Sequence, residues 1–319
     1  MATLYVKKTG NDSNPGTDSL PLLTINAALT LIGGASGVGA NDLVEVSAGI
    51  YVESLINNLP SGSSWSAPFT LRAKTGDTVT IKGAGQHNIA VYDTRSMFSI
   101  VQGFIFDGST LANDQFRLGG GGTSPSAIKL INNDIINTAF GNAIYVGEFS
   151  SDIQIIGNRI HDGNFFTDSN SQGRNHGIYL TGNNCLIEGN EFYNLPAFGV
   201  HQYSQHTPPP GNNTIRGNLV YNFAGQGIAA GIYMDSGSGS VAYNNIVFQT
   251  GANGNAVGIT AKNGSFAYNN TVYNCGYIGI EGVNSTIKNN ISYNNGIDLD
   301  ISGGIQSNNL TSNPFFVNA

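Results

Sequence analysis

The chain has 319 residues, 40% of them hydrophobic and only 10% charged, with 43 glycines and a formal net charge of −7. The apolar share excludes a disordered chain, which could not offset its ordering entropy by burial. A charged share far below the roughly 25% of ordinary domains speaks against long solvated helices and for short strands joined by tight turns.

In chain order, Thr3-Leu4-Tyr5-Val6 reads as a strand, and Thr24 to Ile32 as a helix. The helix carries apolar residues at 25, 28, 29 and 32 behind a Thr that can cap it. It is expected to cover the N-terminal end of the fold. Further strands are expected at Val44–Val46, Phe69–Leu71, Val79–Ile81 and Phe104–Gly108.

From residue 128 a phrase recurs: Gly or Asn, then Asn, any residue, an apolar residue, any residue, and usually Asn or Asp. Its second Asn falls at 133, 158, 190, 218, 245, 270, 290 and 309, with steps of 25, 32, 28, 27, 25, 20 and 19 residues. Such steps fit a coil of about 20 residues with loops inserted at some turns. Asn tolerates the left-handed backbone of a sharp turn, and stacked Asn side chains can hydrogen-bond along the stack. Two residues after each Asn stand Ile135, Ile160, Phe192, Val220, Val247 and Val272, and three before it Leu130, Ile155, Ile187, Ile215, Ala242, Ala267 and Ile287. Both are predicted core columns. The predicted fold is all-β, a single right-handed parallel β-helix domain over residues 1–319 with an N-terminal capping helix. Pro314 to Val317 is expected to close its other end. Cys185 and Cys275 are expected to be buried free thiols.

Residues 5–28 (Tyr5-Val6, Gly10 to Thr17, Pro21, Thr24 to Ala28), SAPFTLRAKTGDTVTIKG at 66–83 and GFIFDGS at 103–109 carry a family resemblance. Here the chain resembles the pectate-lyase-like right-handed β-helix superfamily over essentially its whole length. The resemblance implies a secreted protein acting on a polysaccharide. That superfamily includes polysaccharide lyases, uronate epimerases, glycoside hydrolases and phage tailspikes. The Asp-Asp pair of polygalacturonases is missing, as is the Arg-bearing motif of the chondroitinase B and alginate lyase group. Gly199-Val200-His201-Gln202 lacks the Asp-Pro of the mannuronan epimerase motif.

A second phrase, Gly or Ala before an apolar residue, recurs at 143, 177, 199, 231, 258 and 279. Aligning it predicts an outward column of Tyr145, Tyr179, His201, Tyr233, Thr260 and Glu281, and a next one of Gly147, Thr181, Tyr203, Asp235, Lys262 and Val283. Gln202 breaks the inward apolar pattern. Coils ~4.8 Å apart would bring His201, Tyr203, Tyr233, Asp235 and Lys262 into one patch. The inserts at 161–176, with Phe165, Phe166, Asp168 and Arg174, and at 203–211, with His206, would wall a groove. Glu148, His161 and His176 read as turn or surface residues.

The first reading is a lyase or C5-epimerase on a uronate polymer. His201 is the base, Tyr233 or Tyr203 the proton donor, Lys262 or Arg174 the carboxylate neutraliser, and Asp235 the orienting group. Tyr145, Tyr179, Tyr203, Arg174 and Glu281 are the substrate-binding set. No metal is required; calcium is the conceivable cofactor, with Asp12, Asn14 and Asp18 as candidate ligands. The second reading is an inverting glycoside hydrolase using Asp235 and Glu281. The third is a non-catalytic glycan binder or a virion fibre. The expected partner is a polysaccharide, with no nucleic acid, for want of a basic run, and no membrane, for want of a long apolar stretch. A monomer is expected. A strand directly after Met1-Ala2 fits a secreted protein whose signal segment is absent from this sequence, or a virion-associated one.

Overall fold

The computed structural model describes residues 2–33, 41–92, 96–163, 175–203, 209–223, 229–235, 238–249 and 255–316. The chain is a parallel β-helix of short strands with one helix among the described residues. It divides into two compact units, Met1–Arg159 and Ile160–Ala319.

In the first unit three ranks of parallel strands run coil upon coil. One rank begins Thr3–Val6, Leu43–Val46, Phe69–Ala73, with Leu4 beside Val44 and Val44 beside Leu71. A second pairs Ile89–Val91 with Phe116–Leu118, and Phe116–Leu118 with Ile144–Val146. A third pairs Gly49–Tyr51 with Val79–Lys82, then Ile105–Asp107 and Asp134–Ile136. The helix Ile25–Ile32 is capped as the sequence predicts: Thr24 Oγ1 accepts from Ala27 N at 3.2 Å, and Gly33 closes it in the left-handed region. Glu53 adds a second clamp, accepting from the Ile25 and Asn26 amides at 3.0 and 2.9 Å. Ile25, Ala28 and Leu29 are buried beneath it.

The second unit repeats the plan, and its turns explain the recurring phrase. The first residue of each phrase is Gly189, Gly217, Asn244, Asn269, Asn289 or Asn308, and every one has φ between 52° and 62°. Only Gly, or Asn with its short polar side chain, takes that backbone cheaply. The second residue is always Asn because its side chain builds a ladder. Asn218 Oδ1 accepts from Asn190 N and Nδ2, Asn245 Oδ1 from Asn218, Asn270 from Asn245, Asn290 from Asn270 and Asn309 from Asn290, all at 2.9–3.0 Å. Both predicted core columns are buried.

Four expectations need adjustment. Gln202 does point inward; its Oε1 accepts from Asn213 Nδ2 at 3.1 Å, so the buried amide is satisfied. Thr260 and Thr181, although on the outer side of the pleat, are buried. Phe315 and Phe316 are exposed, at 82% and 49%, and do not close an end; Val317 lies outside the described residues. Asp12, Asn14 and Asp18 are engaged otherwise than as metal ligands. Asp12 binds the Leu23 and Thr24 amides, Asn14 donates to Pro21 O, and Asp18 pairs with Lys7 at 2.7 Å. Both cysteines are buried and outside any disulfide, and burial pushes the Cys275 thiol up to about 12.

Candidate active site

The site strands of the second unit share one local pattern: an outward residue, a Gly, an inward apolar residue, an outward residue. Gly177, Gly199, Gly231 and Gly258 face the core; a Cβ on them would run into Phe192, Val220, Val247 and Val272 respectively. The apolar residue after the Gly faces the core, and strand alternation then turns the next residue outward. In register these outward residues are Tyr179, His201, Tyr233, Thr260, Glu281 and Asp300. From Tyr179 to Glu281 the predicted column therefore holds, and it extends one coil further to Asp300.

One end of the column is aromatic. His201 lies 5.3 Å from both Tyr179 and Tyr233, edge to face, and 5.4 Å from Tyr203. Phe198 stacks on it at 4.4 Å, and the buried His176 meets it with Nε2 3.3 Å from His201 Nδ1. Burial depresses the His201 pKa to about 4, against the opposing pull of Asp235. Burial, with His201 beside it, holds His176 well below the usual histidine range. Both imidazoles are neutral at neutral pH.

The other end is charged. Lys262 Nζ donates to Tyr233 Oη at 3.0 Å and lies 3.5 Å from Glu281 Oε1. Thr260 Oγ1 donates to Glu281 Oε2 at 3.0 Å. Burial disfavours the Lys262 charge, but Tyr233, Glu281 and Asp235 together more than offset it and raise its pKa above the ordinary lysine value. Tyr233, Lys262 and Glu281 line a cleft of about 490 Å³, completed by Asn255, Val257, Tyr277, Ile278 and Asp300.

The structure thus gathers Tyr179, His201, Tyr203 and Tyr233 at one end and Tyr233, Lys262 and Glu281 at the other. Asp235 is anchored by its amide to Gln202 O at 3.1 Å and is not among the cleft-lining residues. Tyr145 belongs to the first unit, where the Arg117 guanidinium lies 4.1 Å from its ring centre. Arg174, His206, Phe165, Phe166 and Asp168 lie outside the described residues. His161 is a strand residue stacked on Tyr193 at 4.3 Å. His176 is the main residue the sequence reading misplaced. It precedes Gly177 as Phe198 precedes Gly199, so the outward position before each Gly was the available signal. No group of three or more His, Cys, Asp or Glu suited to a metal occurs among the described residues.

Residues 163–254 match the family described as the right-handed β-helix region. Comparison with curated proteins gives no match. Among solved structures, a XylC complex with xylose aligns with a TM-score of 0.67 and 13% identity, covering 94% of this chain and 69% of that one. The pectate lyase Pel9A gives 0.64 and 15%, covering 98% and 79%. An alginate lyase from Paenibacillus sp. str. FPU-7 gives 0.64 and 12%, covering 98% and 99%. The likeness shows the fold, a right-handed parallel β-helix. Among the described residues no helix is long and apolar enough to cross a membrane.

Proposed function

We propose that the protein is a polysaccharide lyase that cleaves a uronate-containing glycan by β-elimination in the cleft over Tyr233. The observation that carries this reading is the Lys262–Tyr233 hydrogen bond of 3.0 Å on the cleft wall. Elimination needs a cation for the substrate carboxylate, a base for the C5 proton and a proton for the leaving oxygen. Of the three ammonium protons of Lys262, one goes to Tyr233 Oη, while Glu281 lies 3.5 Å away as an ion-pair partner. A remaining ammonium proton serves the substrate carboxylate. Tyr233 Oη, to which Lys262 Nζ donates, serves as the base that takes the C5 proton and hands it to O4. The C5–H and C4–O4 bonds break and a C4=C5 double bond forms. This moves the base from His201 to Tyr233. His201, neutral and enclosed by Phe198, Tyr179 and Tyr203, fixes the Tyr233 ring. Two structures of like fold are described as a pectate lyase and an alginate lyase, which supports a polyuronide substrate. A polymer of that kind is met outside the cell, and we place the protein there.

A second reading, a glycoside hydrolase, is favoured by one observation. Glu281 and Asp300 are paired in register on adjacent strands and both line the cleft. A strand spacing of ~4.8 Å approaches the ~5–5.5 Å of retaining enzymes. Asp300 replaces Asp235 as the partner carboxyl in this reading.

The test is digestion of a panel of polyuronides and neutral glycans, reading ultraviolet absorbance of unsaturated ends beside reducing sugar. A lyase raises both; a hydrolase raises reducing ends alone. Tyr233→Phe should lower kcat by about 10²–10⁴-fold. Full activity in both Tyr233→Phe and Lys262→Met would overturn the proposal.

A further inference from the structure

The cleft has two unlike sides. Lys262, Glu281 and Asp300 make one side polar; Val257 and Ile278, which precede Lys262 and Glu281 on the same strands, make the other apolar, with Tyr277 and Asn255 beside them. Val257 and Ile278 are paired in register. They face out because Gly258 and Gly279 occupy the inward positions. They belong to an outer apolar strip with Ala197, Phe198 and Ala230, against which Tyr233 packs. Val257 and Ile278 are each 4% exposed, while Tyr277 is 50% exposed.

A uronate ring offers hydroxyls, ring oxygen and carboxylate. Two branched aliphatic side chains satisfy none of these, and a hydroxyl pressed against them loses hydrogen bonds to water without replacement. An acetyl group suits them. Its methyl fills an apolar corner, and its carbonyl oxygen needs one donor, which the Asn255 side-chain amide can supply. A deoxy-sugar methyl would leave Asn255 without a role.

We infer that the cleft selects a glycan bearing an acetyl group, as ester or amide, with the methyl seated against Val257 and Ile278. This rests on the reading of the cleft as a glycan site. The acetyl group is a specificity element; the bond broken remains the one beside Tyr233 and Lys262.

The experiment compares each polymer of the panel before and after chemical deacetylation, by kcat/KM and by calorimetric binding to the Tyr233→Phe protein. The acetylated form should be favoured by about tenfold, the low end of what one apolar substituent gives in a fitted pocket. Val257→Thr, which places a hydroxyl where a methyl was, and Ile278→Thr, which places one where an ethyl was, should bring the ratio toward one. Circular dichroism checks that both variants fold. Equal handling of the two forms by the wild-type protein, or preference for the deacetylated one, overturns this inference and leaves the lyase reading standing. Absence of both turnover and binding across the panel overturns both.

Discussion

The Asn ladder makes a quantitative prediction. Asn245 is buried; its Nδ2 donates to Ile215 O at 3.0 Å and Asn270 Oδ1 at 2.9 Å, and its Oδ1 accepts from Asn218 N at 3.0 Å and Nδ2 at 2.9 Å. Asn245→Ala strips the Asn218 amide of its acceptor and removes a donor from Ile215 O, both away from water. Each buried group left unmet costs ~1–3 kcal/mol. Asn218 Nδ2 keeps its bond to Ile187 O at 3.0 Å, so it adds little. The expected loss is about 4 kcal/mol, a large share of the ~5–15 kcal/mol that holds a typical domain. Asn309 provides the control. It makes the equivalent bonds to Asn290 N, Asn290 Nδ2 and Ile287 O, each at 3.0 Å, from a half-buried position. Water can replace them there, and Asn309→Ala should cost no more than about 1.5 kcal/mol. Urea unfolding followed by far-ultraviolet circular dichroism reads both, provided the slope m stays constant. Equal losses at the two rungs would refute the reasoning, because burial would then not decide the cost.

The turn glycines separate two causes. Gly189, at φ 62° with nothing within 4 Å of a built Cβ, should lose roughly 1–2 kcal/mol on mutation to Ala. Gly189→Asn should lose much less, as Asn fills the equivalent place at 244, 269 and 289. Gly258→Ala should instead cost ~1–3 kcal/mol by overpacking, because its Cβ would overlap Val272 Cγ1 and press on Gly279 O at 2.5 Å; the same urea unfolding ranks the three variants. For pH, the His201 pKa is about 4 when folded, against ~6.5 unfolded. The unfolded chain thus binds the proton first. His201's share of stability is whole above about pH 6.5 and is lost as pH falls to about 4, by up to ~3 kcal/mol. Stability of His201→Phe should fall less steeply across that window than that of the wild type; parallel curves would show that His201 is not the group responsible.

The fold was legible because parallel coils force unlike sequences into one rhythm. The Gly-or-Asn choice at the first phrase position records a left-handed turn, and the invariant second Asn records the ladder. The outward column was legible for the same reason: counting from each Gly gave the register of Tyr179, His201, Tyr233, Thr260 and Glu281. Depth was not legible. The pleat says which side a residue takes but not what lies over it, so Thr260 was read as surface although it is buried. The fate of Gln202 depended on Asn213, which belongs to the next turn of chain and reaches it only in three dimensions. His176 was misplaced because it ends an insert that obscures the start of its coil.

The ladder and the cleft are linked by this same register. Tyr233 and Lys262 are 29 residues apart in sequence and 3.0 Å apart at their polar atoms. Thr260 and Glu281 are 21 residues apart and make a 3.0 Å hydrogen bond. No local turn could bring such pairs together. They meet because each coil returns to the same angular position, and Asn245, Asn270 and Asn290, joined rung to rung, fix where each coil turns. A slip of one residue would flip every side chain of a strand from outer face to core, removing Lys262 from Tyr233. The low charge of the chain fits this design: a site made of single residues from successive coils needs few charges, provided the register never varies.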